Sequence, residues 1–409
     1  MTPVTVVGGV YRERVRHPRR DELFGSGGRA AATIASLGAP TTLRTAIGRT
    51  SKNDFATIAA ALRFTVEAAE VSSTTEFVYD HPLGPPRTRP MFGSVRLPEA
   101  LEVISDNVLI FGMVEGDPRV AAKRGVYDPQ NPLAPRWLEE CDSDVEEVVY
   151  VLNKHEGQAL TGLEEPAAIV TAVLDRPRAR GCALKLGPLG ALVAEQGKPA
   201  QWIPCYETPY VWPIGSGDVF AAALAWAWLT QGLDVVAAGG AASRAAALYV
   251  ASGAIPNDVR AILGETPMPY RELTKRSSGR SSEFDVYLAG PFFSLQDQWL
   301  VEEVRDVLQG FGLRVFSPLH DVGPGEAADV APRDLDALSK SSAMIALLDR
   351  LDPGTLFEVG YARAREIPVI AHVHGIPEGH LKMIQGSSCD AIEDLATALY
   401  RVAWEVLTE

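Results

Sequence analysis

Up to about residue 263, the chain alternates short apolar runs with alanine-rich stretches. Apolar runs of about four to eight residues are typical of buried strands, and longer stretches of small residues favour helices. The predicted strands are Val4–Gly8, Asn107–Phe111, Glu147–Leu152 and Cys182–Leu186. The predicted helices are Arg29–Leu37, Val219–Leu229 and Val235–Val250. Because strands that alternate with helices form parallel sheets, the pattern predicts an α/β domain with a helix-covered sheet.

Residues 265–283 break this alternation. The segment holds two prolines and the polar run Thr274–Ser282, which contains lysine, arginines, serines and a glycine. Such a composition cannot bury enough apolar surface to fold alone, so it predicts a linker. The predicted domains are therefore 1–264 and 284–409, with 265–283 between them.

After this segment the alternation starts again on a smaller scale. The predicted strands are Phe284–Leu288, Leu313–Phe316, Ala343–Leu348 and Pro368–His372. The predicted helices are Gln296–Gly310, Arg333–Lys340, Leu356–Arg365 and Ala391–Leu407. This pattern indicates a compact doubly wound domain, in which ligands bind at the carboxyl ends of the strands. No internal repeat relates the two halves, which favours a fusion of unlike domains.

Length, charge and cysteine content narrow the functional classes. A chain of 409 residues exceeds what one hydrophobic core usually supports, in agreement with two domains. Its formal net charge of -14 argues against duplex nucleic acid or an anionic membrane surface as a partner. The four cysteines are scattered and predict reduced thiols. Without a signal-peptide pattern or an apolar run of about 18 residues, we expect a cytoplasmic protein.

Two carboxylates flank a turn in the sequence DPGTLFEVG, which runs from Asp352 to Gly360. Cleavage of a bond at the anomeric carbon of a sugar needs a carboxylate at that carbon and an acidic group at the leaving group. The same residues also fit a helix cap, with Thr355 as N-cap and Glu358 at the third helical position. The motif alone leaves a catalytic and a structural interpretation open.

Further residues favour the catalytic interpretation. Asp334 follows another strand and loop, and the first strand of this domain runs through Tyr287 into Gly290 and Pro291. The carboxyl ends of parallel strands meet at one edge of a sheet, so we expect these residues to lie near Asp352. The small residues after the strand let a ligand approach the backbone.

Residues 284 to about 390 resemble the nucleoside 2-deoxyribosyltransferase family. The segments that carry the resemblance are Tyr287 with Gly290, Phe316–Pro318, Arg333–Leu335 and Asp352–Gly360. The resemblance implies that Glu358 is a nucleophile that forms a covalent (deoxy)ribosyl intermediate. It also implies that Asp352 binds and protonates the base, since a nucleobase leaves poorly unless it is protonated.

The same resemblance assigns the supporting residues of this site. Asp334 would help to orient the reacting groups, and Tyr287 would hold the carboxylate of the nucleophile. Gly290, Pro291 and Gly354 would line the substrate. Water or a second base would then resolve the intermediate, which gives hydrolysis or transfer respectively.

Two positions depart from the family pattern. Family members often use a polar residue from a neighbouring subunit to hold the sugar, and Leu381 stands at the equivalent place here. The segment Leu381–Gly386 also resembles the related nucleoside-5′-monophosphate N-glycosidases, which usually carry a phosphate-binding serine where this chain has Asp352. Because an aspartate repels phosphate, the sequence favours an unphosphorylated nucleoside. A nucleotide stays open as the alternative.

A second motif, Gly215-Ser216-Gly217-Asp218, leads into the helical run from Val219. Backbone N–H groups at a helix start bind phosphate, and the carboxylate can take a proton from a hydroxyl group. Alone, the motif is weak, because many turns carry it. Its context includes Asp128–Gln130 and two strand ends, Asn153–Glu156 and Lys185–Gly187.

With these segments, residues 3–263 resemble the ribokinase-like, or PfkB-type, sugar and nucleoside kinases. The resemblance implies that Asp218 is the base for the acceptor hydroxyl and that the glycines of the motif form an anion hole. It implies ATP and Mg²⁺ as cofactors, with Glu156 acting on the metal indirectly. The residues that it assigns to ATP binding are Asn153, Glu156, Lys185, Gly187, Gly215, Ser216 and Gly217.

Three positions depart from this second family. The Asp-Thr-Thr stretch expected before the glycines is Trp212-Pro213-Ile214, the acceptor-binding aspartate is Glu13, and the asparagine expected near Gly27-Gly28 is Arg29. Arg29 predicts an anionic group on the acceptor, because guanidinium binds phosphate or carboxylate through two hydrogen bonds. The alternative is a domain that kept the fold and lost the chemistry.

Taken together, the sequence predicts two doubly wound α/β domains. The first would be a ribokinase-like α/β/α sandwich, and the second a smaller flavodoxin-like or Rossmann-like domain. The preferred hypothesis is a bifunctional nucleoside-salvage enzyme that acts on small nucleosides or sugars, needs no cofactor in the second domain and self-associates. One alternative keeps only the second domain catalytic, with the first as a nucleotide-binding regulator or dimerisation platform. A non-catalytic nucleotide sensor is the third.

Overall fold

The computed structural model describes residues 2–131, 134–276 and 282–408. The chain forms two compact units, Met1–Thr208 with Trp212–Glu272, and Pro209–Val211 with Leu273–Glu409. The change of unit at Glu272 lies inside the predicted linker 265–283, of which residues 277–281 fall outside the described residues. The described part of that linker contains a short strand, Arg271–Leu273, so it is not wholly irregular. The domain limits 1–264 and 284–409 stay predictions.

The first unit is built on a nine-stranded sheet and a smaller four-stranded sheet. Its strands are β1 (Val4–Val7), β2 (Arg12–Val15), β3 (Arg20–Leu23), β4 (Thr41–Gly48), β5 (Thr65–Val71), β6 (Glu76–Tyr79), β7 (Arg87–Arg89), β8 (Glu102–Phe111), β9 (Arg119–Asp128), β10 (Asp144–Asn153), β11 (Ala179–Lys185), β12 (Ala191–Glu195), β13 (Gln201–Ile203) and β14 (Cys205–Glu207). The strand at Arg271–Leu273 is β15. Its helices are α1 (Gly25–Ser36), α2 (Arg49–Leu62), α3 (Lys154–Thr161), α4 (Pro166–Leu174), α5 (Ser216–Thr230), α6 (Val235–Val250) and α7 (Val259–Leu263).

The large sheet has the order β13-β12-β11-β10-β9-β8-β1-β4-β5. The strands from β11 to β5 in this order are parallel, whereas β12 and β13 are antiparallel additions at one edge. The sheet is therefore mixed, and the predicted parallel sheet corresponds to the part that runs from β11 to the edge strand β5.

Helices cover both faces of this sheet. On β11, a side chain at Gly181 would meet Val235 of α6. The next residue, Cys182, packs in the same core as Ile169 and Val173 of α4. Because successive residues of a strand point to opposite faces, α6 and α4 lie on opposite sides. This arrangement is the α/β/α sandwich that the sequence predicts.

The four-stranded sheet, of order β3-β2-β6-β7, has no counterpart in the sequence analysis. Its strands are short and rich in charge, so hydrophobic alternation gives almost no signal there. Strand β2 places Glu13 in the interior, where the residue is only 9% exposed.

The second unit is a five-stranded parallel sheet of order β17-β16-β18-β19-β20. The strands are β16 (Phe284–Ala289), β17 (Val315–Phe316), β18 (Ser341–Leu347), β19 (Val369–His372) and β20 (Asp390–Ile392). The helices are α8 (Leu295–Gly310), α9 (Ala327–Ser339), α10 (Pro353–Ala364), α11 (Lys382–Gly386) and α12 (Leu395–Leu407). Tyr287 and Ala289 of β16 share a core with α9 and α10. No helix among the described residues is long and apolar enough to cross a membrane.

Candidate functional site

The second unit brings Tyr287 and Glu358 into direct contact. The Tyr287 hydroxyl donates a hydrogen bond of 2.6 Å to Glu358 Oε1. The tyrosine is fully buried, and its ring stacks on Phe316 with the ring centroids 5.5 Å apart. Packing fixes the ring, so the hydroxyl is held against one oxygen of the carboxylate. Burial and the nearby carboxylate raise the pKa of Tyr287, which keeps it a hydrogen-bond donor.

Glu358 is an unusually basic carboxylate. Burial raises its pKa to about 7, and the charges of Asp334 and Asp352 contribute to the increase, while the Tyr287 hydrogen bond opposes it. Asp334 is itself shifted, since partial burial raises its pKa despite the neighbouring Arg333. Among the described residues, no group donates a hydrogen bond to the buried Asp334 Oδ1. The structure therefore places Tyr287 against Glu358, and the charges of Asp334 and Asp352 act on the same carboxylate.

Asp352 begins α10, which corrects the predicted start of that helix. Its Oδ2 accepts hydrogen bonds from the Thr355 backbone N–H (2.9 Å) and the Thr355 hydroxyl (3.1 Å). Pro353 follows at the first helical position, where it needs no backbone donor. Thr355 is thus not the N-cap, and Glu358 lies one turn further into the helix. The predicted capping box of Thr355 and Glu358 is therefore wrong. The Glu358 side chain does not cap the helix and contacts Tyr287 instead.

The small residues around these carboxylates are tightly placed. A Cβ atom at Gly290 would lie 3.1 Å from the Leu347 side chain, and one at Gly354 would lie 3.1 Å from Asp352 Oδ2. Pro291 lines a small cavity with Leu347 and Asp349. Gly354 therefore leaves the space beside the Asp352 carboxylate open, as a ligand that approaches it requires.

Sequence reasoning missed one supporting residue here. The sequence predicts Thr355 as the cap, but its hydroxyl and its backbone N–H both orient Asp352. The sequence contains a pattern that could have identified it. An aspartate followed by proline, with threonine three positions after the aspartate, is typical of a helix start. Leu381 is buried and offers no polar atom to a ligand, as its side chain predicts.

In the first unit, Asp218 lies at the start of α5 and forms a buried ion pair with Arg29. Arg29 Nη1 donates to Asp218 Oδ2 at 2.8 Å and to Glu13 Oε1 at 3.2 Å, while Nη2 contacts Glu13 Oε2. The side chain of Arg29 is only 1% exposed. Burial alone would lower the pKa of Arg29, but Glu13 and Asp218 hold it well above its ordinary value. Burial raises the pKa of Glu13.

This contact bears on the role predicted for Arg29, which stays a prediction. The sequence predicts that its guanidinium binds an anionic group of an acceptor, but the structure gives those donors to the chain's own carboxylates. The guanidinium group is held there because Glu13 and Asp218 both contact it, and Glu22, which also pairs with Arg20, lies 3.6 Å from it.

The remaining polar residues of this site form two pairs. Gln130 Nε2 donates to Asp218 Oδ1 at 2.6 Å, and Lys185 Nζ contacts Asp128 Oδ2 at 2.6 Å. Burial raises the pKa of Asp128 to about 7, although Lys185 opposes the shift. Sequence reasoning gave Gln130 no role, and only its place in the Asp128–Gln130 segment pointed to it.

Asn153 and Glu156 cap helix α3. Asn153 Oδ1 accepts from the Glu156 backbone N–H at 2.9 Å, and Glu156 Oε2 accepts from the Asn153 backbone N–H at 2.8 Å. Gly187 opens a short turn with φ at +55°. Both features lie at the carboxyl ends of parallel strands, β10 and β11, as predicted.

Comparisons with known proteins bear on both units. Residues 120–258 match the pfkB family of carbohydrate kinases, and residues 286–380 match nucleoside 2-deoxyribosyltransferase. Both matches therefore fall within one chain. No curated protein matches the chain.

Several solved structures are similar to the chain over its kinase-like part. A ribokinase from Thermotoga maritima has 18% identity and a TM-score of 0.48, and covers 64% of this chain and 99% of its own. A nucleoside kinase from Methanocaldococcus jannaschii has 18% identity and a TM-score of 0.45, with coverages of 65% and 99%. A fructokinase from Vibrio cholerae has 16% identity and a TM-score of 0.48, with coverages of 64% and 98%.

The pfkB match implies ATP-dependent phosphoryl transfer with a divalent metal, and the kinase domain fits this expectation only in part. Gly215 has φ at +82° and stands directly before α5, a place where backbone N–H groups can bind phosphate, although the Ser216 N–H already donates to the Pro213 carbonyl. A Cβ at Gly217 would lie 3.3 Å from Lys185 Nζ, which places a cation at the same loop. The described residues contain no group of three histidine, cysteine or acidic side chains arranged to hold a metal. Asp218, the expected base, faces Arg29.

Proposed function

We propose that the transferase domain cleaves or exchanges the N-glycosidic bond of a (deoxy)nucleoside through a covalent intermediate on Glu358. The observation that carries this proposal is the 2.6 Å hydrogen bond from Tyr287 to Glu358 Oε1, inside a cluster that also holds Asp334 and Asp352. One oxygen of the carboxylate is fixed by the tyrosine, and the other is left to attack the anomeric carbon. A family match over residues 286–380 supports the same chemistry.

The proposed reaction assigns opposite tasks to two carboxyl groups. Glu358 must be ionised to form its bond with the anomeric carbon, while the bond from that carbon to the base nitrogen breaks. Asp352 in its acid form gives its proton to the departing base. Both hydrogen bonds that Thr355 donates to the Asp352 side chain fall on Oδ2, which leaves Oδ1 for the base. Water or a second base then attacks the sugar and frees Glu358.

We propose an unphosphorylated nucleoside as the substrate, with a nucleoside monophosphate as the alternative. Asp352 and Asp334 lie close enough to Glu358 to raise its pKa, so this cluster is rich in negative charge. A phosphate group at the same place would be repelled. The comparison is direct: the protein is given a deoxynucleoside and its 5′-monophosphate, and the two rates of base release are measured. Faster release from the monophosphate would contradict this choice.

The central test is the covalent adduct. After incubation with a deoxynucleoside, intact-protein mass spectrometry and peptide mapping should find the sugar mass on the peptide that carries Glu358. Glu358→Gln should lose both the adduct and base release. Glu405→Gln, an exposed position on α12, is the matched control and should retain both. Undiminished base release by Glu358→Gln would rule out this mechanism.

For the kinase domain, two functions compete. The first is phosphoryl transfer from ATP to a sugar or nucleoside hydroxyl, with Asp218 as base, and the family match over residues 120–258 favours it. The second is a nucleotide-binding regulator without transfer, and the Arg29–Asp218 ion pair favours it. If both domains are active, the kinase would phosphorylate the sugar or nucleoside that the transferase domain handles. Assays with and without ATP, in wild type and Asp218→Asn, separate the two functions.

A further inference from the structure

Buried Arg29 limits the access of an acceptor hydroxyl to Asp218, the predicted general base. A general base must place an oxygen within about 2.6–3.2 Å of the hydroxyl group whose proton it takes. Both oxygens of Asp218 are already engaged at such distances, Oδ2 by Arg29 at 2.8 Å and Oδ1 by Gln130 at 2.6 Å. An acceptor hydroxyl that approached Oδ2 would therefore compete with a guanidinium group for the same oxygen.

Arg29 also lies against the loop that precedes α5. A Cβ atom at Gly215 would be 2.3 Å from Arg29 Nε and 2.4 Å from Arg29 Cζ. The guanidinium group is thus packed directly on the backbone of the predicted anion hole. The ring of Tyr249 lies 5.9 Å from Arg29 Cζ, and that of Phe24 lies 5.6 Å away, so the group is enclosed on further sides. Space for an acceptor between Asp218 and this loop is taken by the protein itself.

A neutral acceptor has little means to displace this side chain. Removing the guanidinium group from Glu13 and Asp218 would leave two buried carboxylates without a counter-ion, which is strongly unfavourable. A sugar hydroxyl brings no positive charge to replace it. A requirement to break such a pair lowers apparent acceptor affinity on the order of a hundred- to a thousand-fold. An anionic acceptor is no better suited, because Glu13 and Asp218 already engage both Nη1 and Nη2 of Arg29.

We propose that Arg29 is an internal blocker of the kinase domain, which occupies the place of the acceptor hydroxyl against Asp218. In wild type the domain therefore does not transfer phosphate to neutral sugar hydroxyls, and removal of the side chain opens the acceptor position. This inference decides between the two functions proposed for the kinase domain, and it is independent of the chemistry at Glu358.

The test restores the residue types that the resemblance expects at the two positions. Wild type and Glu13→Asp/Arg29→Asn are each incubated with ATP, Mg²⁺ and either ribose or 2-deoxyribose. Sugar phosphate is detected by mass spectrometry, and ADP is measured against a reaction without sugar. We expect wild type to form no sugar phosphate above background. The double variant should form at least about tenfold more, because Arg29 no longer blocks the binding of the sugar. Adding Asp218→Asn to the double variant should return it to background.

A second measurement does not depend on turnover. Ribose should raise the melting temperature of the double variant and leave that of wild type unchanged. Arg19→Asn, which removes an exposed arginine of the same unit, should behave like wild type in both assays. Circular dichroism reports whether each variant is folded.

Two results would overturn the proposal. One is sugar phosphate formation by wild type that Asp218→Asn abolishes, and this arm needs no folded Arg29 variant. The other is a folded double variant that neither binds sugar nor transfers phosphate. A failure of the glycosidic chemistry is recognised separately, because base release from a nucleoside is measured without ATP.

Discussion

The hydroxyl of Tyr287 and the carboxylate of Glu358 are joined by a hydrogen bond of 2.6 Å, although 71 residues separate them in the sequence. The contact stabilises the ionised carboxylate against burial and against two neighbouring acids, which together raise its pKa to about 7. The tyrosine therefore sets the fraction of Glu358 that is ionised and able to attack near neutral pH.

Tyr287→Phe should raise the pKa of Glu358 further, because it removes the one hydrogen bond that lowers it. The rising limb of the pH profile of kcat/KM, expected near pH 7 in wild type, should move to higher pH. At pH 7 we expect a loss of about 10- to 100-fold, as is usual for a hydrogen bond to a charged group. Tyr361→Phe, on the same helix as Glu358, is the matched control and should retain the wild-type profile. An unshifted limb in Tyr287→Phe would contradict this role.

Asp334→Asn should act in the opposite direction. The charge of Asp334 contributes to the raised pKa of Glu358, so its removal should lower that pKa and move the rising limb to lower pH. The limb position is the decisive measurement, because a change in maximal rate alone would also follow from a misplaced substrate. A limb that moves upward, or stays in place, would show that Asp334 does not act on Glu358 through its charge.

Glu358→Gln should alter the pH dependence of stability. In the unfolded chain the carboxyl group ionises near pH 4.3, whereas in the folded unit its pKa is about 7. Between these values the unfolded state binds fewer protons, so the free energy of unfolding of wild type falls as pH rises and then levels off. Glu358→Gln has no such titrating group. Its free energy of unfolding relative to that of wild type should therefore rise with pH, by on the order of 3 kcal/mol above pH 7. Urea denaturation at several pH values measures it, and Glu405→Gln should show no such trend.

Asp352→Asn and Asp352→Ala should separate two roles of one residue. Asparagine caps a helix about as well as aspartate, so Asp352→Asn should stay within about 0.5 kcal/mol of wild type in stability while base release is lost. Asp352→Ala should lose base release and also about 1 kcal/mol of stability, because the Thr355 backbone N–H loses its acceptor. Base release by Asp352→Asn close to the wild-type rate would show that the acid is not needed.

Gly215→Ala tests the packing of Arg29 against the loop before α5. Both Gly215 (φ +82°) and Gly232 (φ +72°) have backbone conformations that disfavour alanine, but a Cβ at Gly232 would meet nothing within 4 Å. Gly232→Ala should therefore cost about 1 kcal/mol of stability from the backbone alone. Gly215→Ala should cost more, and the excess should shrink when Arg29→Asn is added. Equal losses at both glycines would mean that Arg29 does not occupy this position.

Much of the architecture is visible in the sequence because burial leaves a periodic signature. Helix α6 has the predicted limits Val235–Val250, and the buried strands β1, β10 and β16 were located within a few residues. The four-stranded sheet was missed because its strands carry mostly charged residues. Strand β9, Arg119–Asp128, was missed for a similar reason, since its first half has one buried apolar residue, Val120, between the exposed residues Arg119 and Lys123.

More of the site around Glu358 than of the site around Asp218 could be predicted from the sequence. Helix starts and strand ends are local features, so the residues around Tyr287 and Glu358 could be grouped from topology alone. The partner of a long side chain is not a local feature. Arg29 and Asp218 are 189 residues apart, and only the folded arrangement decides whether the guanidinium group meets a ligand or a carboxylate. The start of α10 was misplaced because Asp352 and Thr355 both fit an N-cap, and it is the Asp352 side chain that accepts the capping hydrogen bond.

Because Asp352 anchors the first turn of its helix through an ordinary side-chain oxygen, serine could take over that task with almost no change to the scaffold. Such an exchange would remove the carboxyl group that the proposed reaction uses as proton donor. The group that protonates the leaving base can thus be changed independently of the helix that carries it. Selection or engineering can substitute position 352 while the fold stays the same.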